Sequence, residues 1–114
     1  MEDDLVVRFS RHAGAAVDLL KALASKPRLL VLCYLSQAGE MSAGDLTEQV
    51  GLSQSALSQH LAKLREEGLV ATRKEAQTVF YRVSDPKAEQ LLGLLHDLFC
   101  PELTAAGSAA ARSE

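Results

Sequence analysis

Two thiols and a cluster of short polar side chains are the residues of this 114-residue sequence best suited to chemistry. Cys33 and Cys100 are its two cysteines. Two are too few for a disulfide framework and too widely spaced for a zinc finger, so any chemical role they have is that of reactive thiols. A plainer reading of Cys33 stays open, because it sits in a run that is apolar on nearly every side and there a thiol is simply a small hydrophobe. His96 and Asp97 lie one helical turn before Cys100. A protonated His96 favours the thiolate, whereas Asp97 and the negative end of a helix disfavour it. On paper Cys100, His96 and Asp97 also imitate nucleophile, base and orienting carboxylate. Three side chains on one helix end supply neither oxyanion hole nor substrate cleft, and no glycine-rich phosphate loop or metal-hydrolase motif occurs, so an enzyme, a metal site or a bound cofactor is not expected.

The second chemistry is hydrogen bonding to base edges. If Leu57, Leu61 and Leu64 face a core, then Gln54, Ser55, Ser58, Gln59 and Ala62 occupy the opposite face of the same helix. Gln can pair with adenine N6 and N7 in a major groove, and Ser can serve several bases. His60, Lys63 and Arg65 then approach phosphates, although His60 could instead pack against the preceding helix. Isolated Gln and Ser on a helix are usually just solvated. Here a basic segment follows them, with Arg73 and Lys74 placed to reach the neighbouring backbone and add a salt-sensitive, sequence-independent attraction. The net charge of −3 argues against indiscriminate coating of nucleic acid, yet Gly51 to Ser84 holds five basic residues against three acidic ones.

The elements that must position these residues follow from periodicity and caps. Ala13, Ala16, Val17, Leu20 and Leu23 give a first helix over Ser10 to Ala24, and Pro27 opens a second that Gly39 closes. Ser42 caps a short helix through Val50, Gly51 ends it, and Ser53 caps the next, which runs to Glu67 before Gly68. Two short helices joined by a three-residue turn with glycine describe a helix-turn-helix. Leu69 to Lys74 and Thr78 to Val83 read as a β-hairpin, and Asp85-Pro86 opens a last helix rich in leucine that Pro101 stops. The expectation is a mainly α protein of about five helices plus a small hairpin wing. An N-terminal extension spans 1–9, a winged helix-turn-helix domain 10–101 with dimerising first and last helices, and a flexible tail 102–114. That last helix carries more apolar surface than a small monomer can hide, so a second copy or another protein must cover it. No apolar window has the length of a membrane span, and Met1-Glu2-Asp3-Asp4 is acidic where a secretory signal is basic, so no membrane is expected and the cytoplasm is the expected location.

Leu52-Ser53-Gln54-Ser55-Ala56-Leu57-Ser58-Gln59-His60-Leu61, then Leu64, Gly68-Leu69-Val70 and Val79-Phe80-Tyr81, resemble the ArsR-type winged-helix repressors, as does Lys26-Pro27-Arg28-Leu29. The resemblance runs from about Leu19 to Cys100. It implies a homodimer joined through first and last helices and bound to double-stranded operator DNA. Many members carry Gly at the wing tip where this chain has Ala76, so a turn needing positive φ is strained there.

Members that sense soft metals through the third helix carry closely spaced cysteines, whereas this chain has Met41-Ser42-Ala43-Gly44-Asp45-Leu46; a zinc site on the last helix has only His96 and Asp97 to draw on. Leu32-Cys33-Tyr34-Leu35 and Leu98-Phe99-Cys100-Pro101 are instead similar to the two-cysteine, sulfur-responsive branch of the BigR, SqrR or YgaV type. That similarity implies a reduced protein on its operator, released when a disulfide or polysulfide bridge joins Cys33 to Cys100, with a reactive sulfur species or another oxidant as inducer. A metal- or metalloid-responsive repressor and a constitutive DNA binder are the alternatives.

Overall fold

The computed structural model describes residues 2–100. Its elements are α1 (Glu2–Leu23), α2 (Lys26–Ala38), β1 (Met41–Ser42), α3 (Ala43–Val50), α4 (Gln54–Glu66), β2 (Val70–Glu75), β3 (Thr78–Val83) and α5 (Pro86–Phe99). The expected Pro101 stop and the tail 102–114 lie outside the described residues. Among those described, no helix is long and apolar enough to cross a membrane.

Local chemistry sets the boundaries. The hydroxyl oxygens of Ser42 and Ser53 each accept the backbone N–H three residues on, from Asp45 and Ala56 at 3.1 Å, and the Asp85 carboxylate caps α5 by accepting from Lys87 N at 2.8 Å. Each such cap contributes about 1 kcal/mol. Gly51 ends α3 at φ +73°, in the left-handed region that a side chain penalises. α4 closes differently: Leu69 N–H donates to Leu64 O at 2.9 Å and Gly68 N–H to Arg65 O at 3.0 Å, a Schellman pair made possible by φ +76° at Gly68.

Two features depart from the sequence reading. α1 begins at Glu2 rather than Ser10, so the helix is continuous through the stretch expected to be an extension. Leu5, Val6, Val7 and Phe9 form a block rather than a 3.6-residue stripe, which hides the helix from a periodicity argument, but the segment has no breaker and its leading acids suit the positive helix end. Met41 and Ser42, expected as an N-cap, also form a strand: Met41 pairs with Tyr81 and Ser42 with Phe80, giving an antiparallel sheet in the order β1-β3-β2.

The core is aliphatic throughout. Val31, Leu32 and Leu35 of α2 are fully buried among Leu46, Leu57, Leu61, Leu64, Val70, Val83, Ala88 and Leu92, and among the described residues no polar or charged one is buried with them. Each such leucine contributes roughly 1.5–3 kcal/mol. α1 joins this core only at its end, through Leu19, Ala22 and Leu23. The rest projects, and the radius of gyration of 16.5 Å exceeds the about 13 Å of a compact chain this size. Leu5, Val6, Val7, Phe9, Val17 and Leu20 of α1 and Leu94, Leu98 and Phe99 of α5 are exposed, Phe99 to 78%.

At the wing tip Ala76 has φ +56°, so the expected strain is present. The Ala76→Gly variant relieves it at the cost of a freer unfolded chain, for a net gain of roughly 0.5–1 kcal/mol. Urea denaturation should show that gain; equal stability would mean that the strain only matches the entropy cost of glycine, and a loss of the full entropy cost would mean that the turn holds no strain.

Candidate nucleic-acid interface and thiol pair

α3 and α4 pack against each other across the turn Gly51-Leu52-Ser53, and Leu57, Leu61 and Leu64 bury one face of α4. At about 100° per residue that leaves Ser55, Ser58, Gln59 and Ala62 turned away from that face, whereas Gln54, three residues before Leu57 and seven before Leu61, lies toward the packed side in the first turn rather than opposite it; all five are exposed. The Ser53 hydroxyl lies 3.4 Å from that of Ser55 while capping the helix, so the first turn presents its polar atoms as a group. His60 is half-buried at the edge of the packed face, intermediate between the two readings left open for it.

Lys63 and Arg65 occupy different sides of α4. Lys63 turns toward α1, where with Asp18, Lys21, Arg28, Glu67 and Asp85 it lines an open cleft of about 710 Å³. Arg65 lies on the side shared with Gln54 and Ser58, on the same helical surface.

The wing places its two basic residues apart as well. Val70, Thr72 and Lys74 share one sheet face with Tyr81 and Val83, while Ala71, Arg73 and Glu75 share the other with Phe80 and Arg82. Arg73 and Lys74 therefore project in opposite directions, so both can meet nucleic acid together only if the wing enters a groove edge-on. Arg82, counted in the basic segment but not singled out, stands two residues from Phe80 on the Arg73 face; period-two spacing carried that signal. Arg73 is also more engaged than a free surface cation. Its guanidinium donates to both Glu40 and Glu75 and lies 4.7 Å from the Phe80 ring centroid. The Arg73 hydrogen bond holds the Glu40 carboxyl below its usual range. No local sequence signal pairs Glu40 with Arg73, since the contact depends on β1 joining the sheet.

Cys33 lies on α2 and Cys100 is the C-cap residue of α5, its N–H donating to His96 O at 2.8 Å. Both are free thiols and both half-buried. Burial pushes the Cys33 thiol pKa up, and the charge of Cys100 pushes it further in the same direction. The helices that carry the two thiols, α2 and α5, pack against each other. One turn beyond Cys33, the Ser36 hydroxyl donates to Glu89 Oε1 at 2.7 Å and ties α2 to the first turn of α5. Among the described residues, no group of three or more His, Cys, Asp or Glu side chains is arranged to hold a metal ion.

Comparison with known proteins agrees with this architecture. Residues 25–72 match the arsR family of bacterial regulatory proteins. The transcriptional activator HlyU of Vibrio cholerae is 53% identical over 79% of this chain and 82% of its own length, and the structure of reduced HlyU superposes with a TM-score of 0.78 at 52% identity, covering 82% of this chain and 97% of that one. The HTH-type transcriptional regulator YgaV of Escherichia coli is 43% identical over 84% of this chain and 97% of its length. The transcriptional repressor BigR of Xylella fastidiosa superposes with a TM-score of 0.76 at 38% identity, over 90% of this chain and 96% of that one. YgaV and BigR are two of the proteins typifying the branch that the cysteine contexts resemble. With its capped helix-turn-helix, its three-stranded wing and these relatives, the chain belongs to the ArsR family of winged-helix, DNA-binding transcriptional regulators.

Proposed function

We propose that this protein is a cytoplasmic repressor that binds operator DNA as a homodimer and lets go when Cys33 and Cys100 become bridged. The observation that carries the sensing half is the placement of the two thiols on helices that pack together, Cys33 on α2 and Cys100 closing α5. That one relative has been solved in a form named as reduced supports a redox role. BigR is named a repressor and HlyU an activator, so the sign of the effect has a second reading. Where an operator lies relative to its promoter decides between them, and transcription from the native promoter with and without the protein tells them apart.

In the DNA-bound state Gln54, Ser55, Ser58 and Gln59 read base edges in the major groove; His60, Lys63 and Arg65 meet phosphates, and Arg73 and Lys74 meet the adjacent backbone. Dimerisation covers the exposed apolar faces of α1 and α5, and it sets the spacing of two recognition helices on an imperfect palindrome.

The inducing chemistry balances without an outside electron acceptor once a persulfide has formed. A Cys100 thiolate takes a sulfur atom from a low-molecular-weight persulfide, releasing that molecule's thiol; the Cys33 thiolate then attacks the Sγ of Cys100, forming Cys33–S–S–Cys100 and expelling the outer sulfur as hydrogen sulfide. Because burial raises its pKa, Cys33 suits the second, intramolecular step better than the first. If both cysteines carry an extra sulfur, the same displacement leaves a longer polysulfide bridge. Either bridge draws the end of α5 toward α2 while Ser36 and Glu89 hold its start, shifting the dimer interface and the recognition-helix spacing.

Intact mass after persulfide treatment should show a bridged species while operator affinity falls, and Cys100→Ser should keep affinity but abolish release; normal release by that variant removes Cys100 from the mechanism. Alkylation of Cys33 followed against pH should have its midpoint above the ordinary thiol range, and Cys100→Ser should lower it by removing a like charge. An unmoved midpoint would show that Cys100 does not influence the Cys33 thiol. For the dimer, Phe9→Glu or Leu98→Glu should lower the molar mass in light scattering from two copies to one, and an unaltered dimer in both locates the interface elsewhere.

A further inference from the structure

Glu40 lies just before β1 and belongs to neither recognition helix nor wing, yet it grips the guanidinium of the wing. Arg73 Nε donates to Glu40 Oε2 at 2.6 Å and Nη2 donates to Oε1 at 2.8 Å, while Nη1 donates to Glu75 Oε1 at 2.7 Å. The register explains the reach. Arg73 lies opposite Phe80 on β3, and β1 flanks β3 on its other edge with Met41 opposite Tyr81, so Glu40 falls beside Arg82. The arginine side chain crosses the Phe80 ring to meet it. Two carboxylates and two guanidinium groups share this face, which therefore carries no net positive charge, unlike the basic wing that the sequence suggests.

A carboxylate taking Nε–H and Nη2–H on one edge of a guanidinium presents two oxygens of the same charge sign and fork geometry as the two non-bridging oxygens of a DNA phosphate. We propose that Glu40 is an internal stand-in for phosphate: it occupies Arg73 in the free protein, and Arg73 exchanges it for a backbone phosphate when the wing docks. The inference rests on the reading of the wing as a DNA contact. The exchange is open to solvent, because the side chains of Arg73 and Glu40 are 46% and 31% exposed and an exposed ion pair is weakly held. A duplex wins the competition because the recognition helix has already brought its phosphates close, turning the step into an intramolecular one. Glu40 thereby lowers affinity for DNA of every sequence and keeps the protein from lingering on non-operator DNA.

Fluorescence anisotropy with a labelled 30-base-pair duplex of mixed sequence tests this on the full chain. Glu40→Gln, which preserves shape, should tighten binding by roughly three- to tenfold and steepen the dependence of log affinity on log salt by up to about one unit. The gain should vanish in Glu40→Gln/Arg73→Ala, since it operates through the guanidinium. A gain of equal size in the Arg73→Ala background would show plain charge repulsion by Glu40 and overturn the exchange. Unchanged or weaker binding by Glu40→Gln would overturn it too. The wing reading fails by a different signature, in which Arg73→Ala and Lys74→Ala each leave affinity unaltered with Glu40 intact or replaced; the proposal falls with it.

Discussion

Everything that positions this protein's functional side chains depends on how α2 is buried. Val31, Leu32 and Leu35 have no exposed surface, and α2 contacts α1, α3, α5 and β3. With no polar or charged side chain buried in the core among the described residues, orientation inside it comes from shape, and close-packed aliphatic interiors resist small displacements. α2 therefore acts as a fixed post. On one side it supports α3 and, through it, α4; on the other it carries Cys33 beside α5. The bridge proposed above would act at Cys33 on the element that the remainder of the fold is packed around, and its effect would pass through α3 to α4.

Much of this was legible in the residues. Ser42, Gly51, Ser53, Gly68 and Asp85-Pro86 are local punctuation, each acting on backbone within a few positions, and the structure uses all of them. The buried stripe Leu57, Leu61 and Leu64 is local as well, so the exposed face of α4 could be read before any contact was known. Missed features depend on distant sequence. β1 is two residues long, and its identity comes from pairing with β3 some forty positions away. The Glu40 contact of Arg73 follows from that pairing and was unreadable without it. The opposed directions of Arg73 and Lys74 were in principle readable from strand alternation, but treating them as one basic pair concealed this.

The thiols illustrate a different limit. Local context around Cys33 and Cys100 suggested a family pattern, but whether two residues so far apart in sequence can influence each other is a question of tertiary placement. The helix-end charge argument applied to Cys100 says little about Cys33, whose thiol is governed first by burial and second by its partner. For α1, hydrophobic periodicity found only the half that packs on the core. The leading half has no stripe, and no described element of its own chain covers it.

The joint between α4 and β2 is very short and hydrogen-bonded on both sides. Leu69 donates to Leu64 O and accepts from Ser84 N–H at 2.9 Å, while the Ser84 hydroxyl donates to Gly68 O at 3.2 Å. α4 and the hairpin beside it are thus tied directly to each other rather than joined by a free linker. If α4 sits in a DNA groove, the hairpin moves with it. A tilt small enough to leave the helix in its groove already swings the wing tip, several residues further out, through a longer arc. A modest rotation at the base of this unit is amplified at the tip.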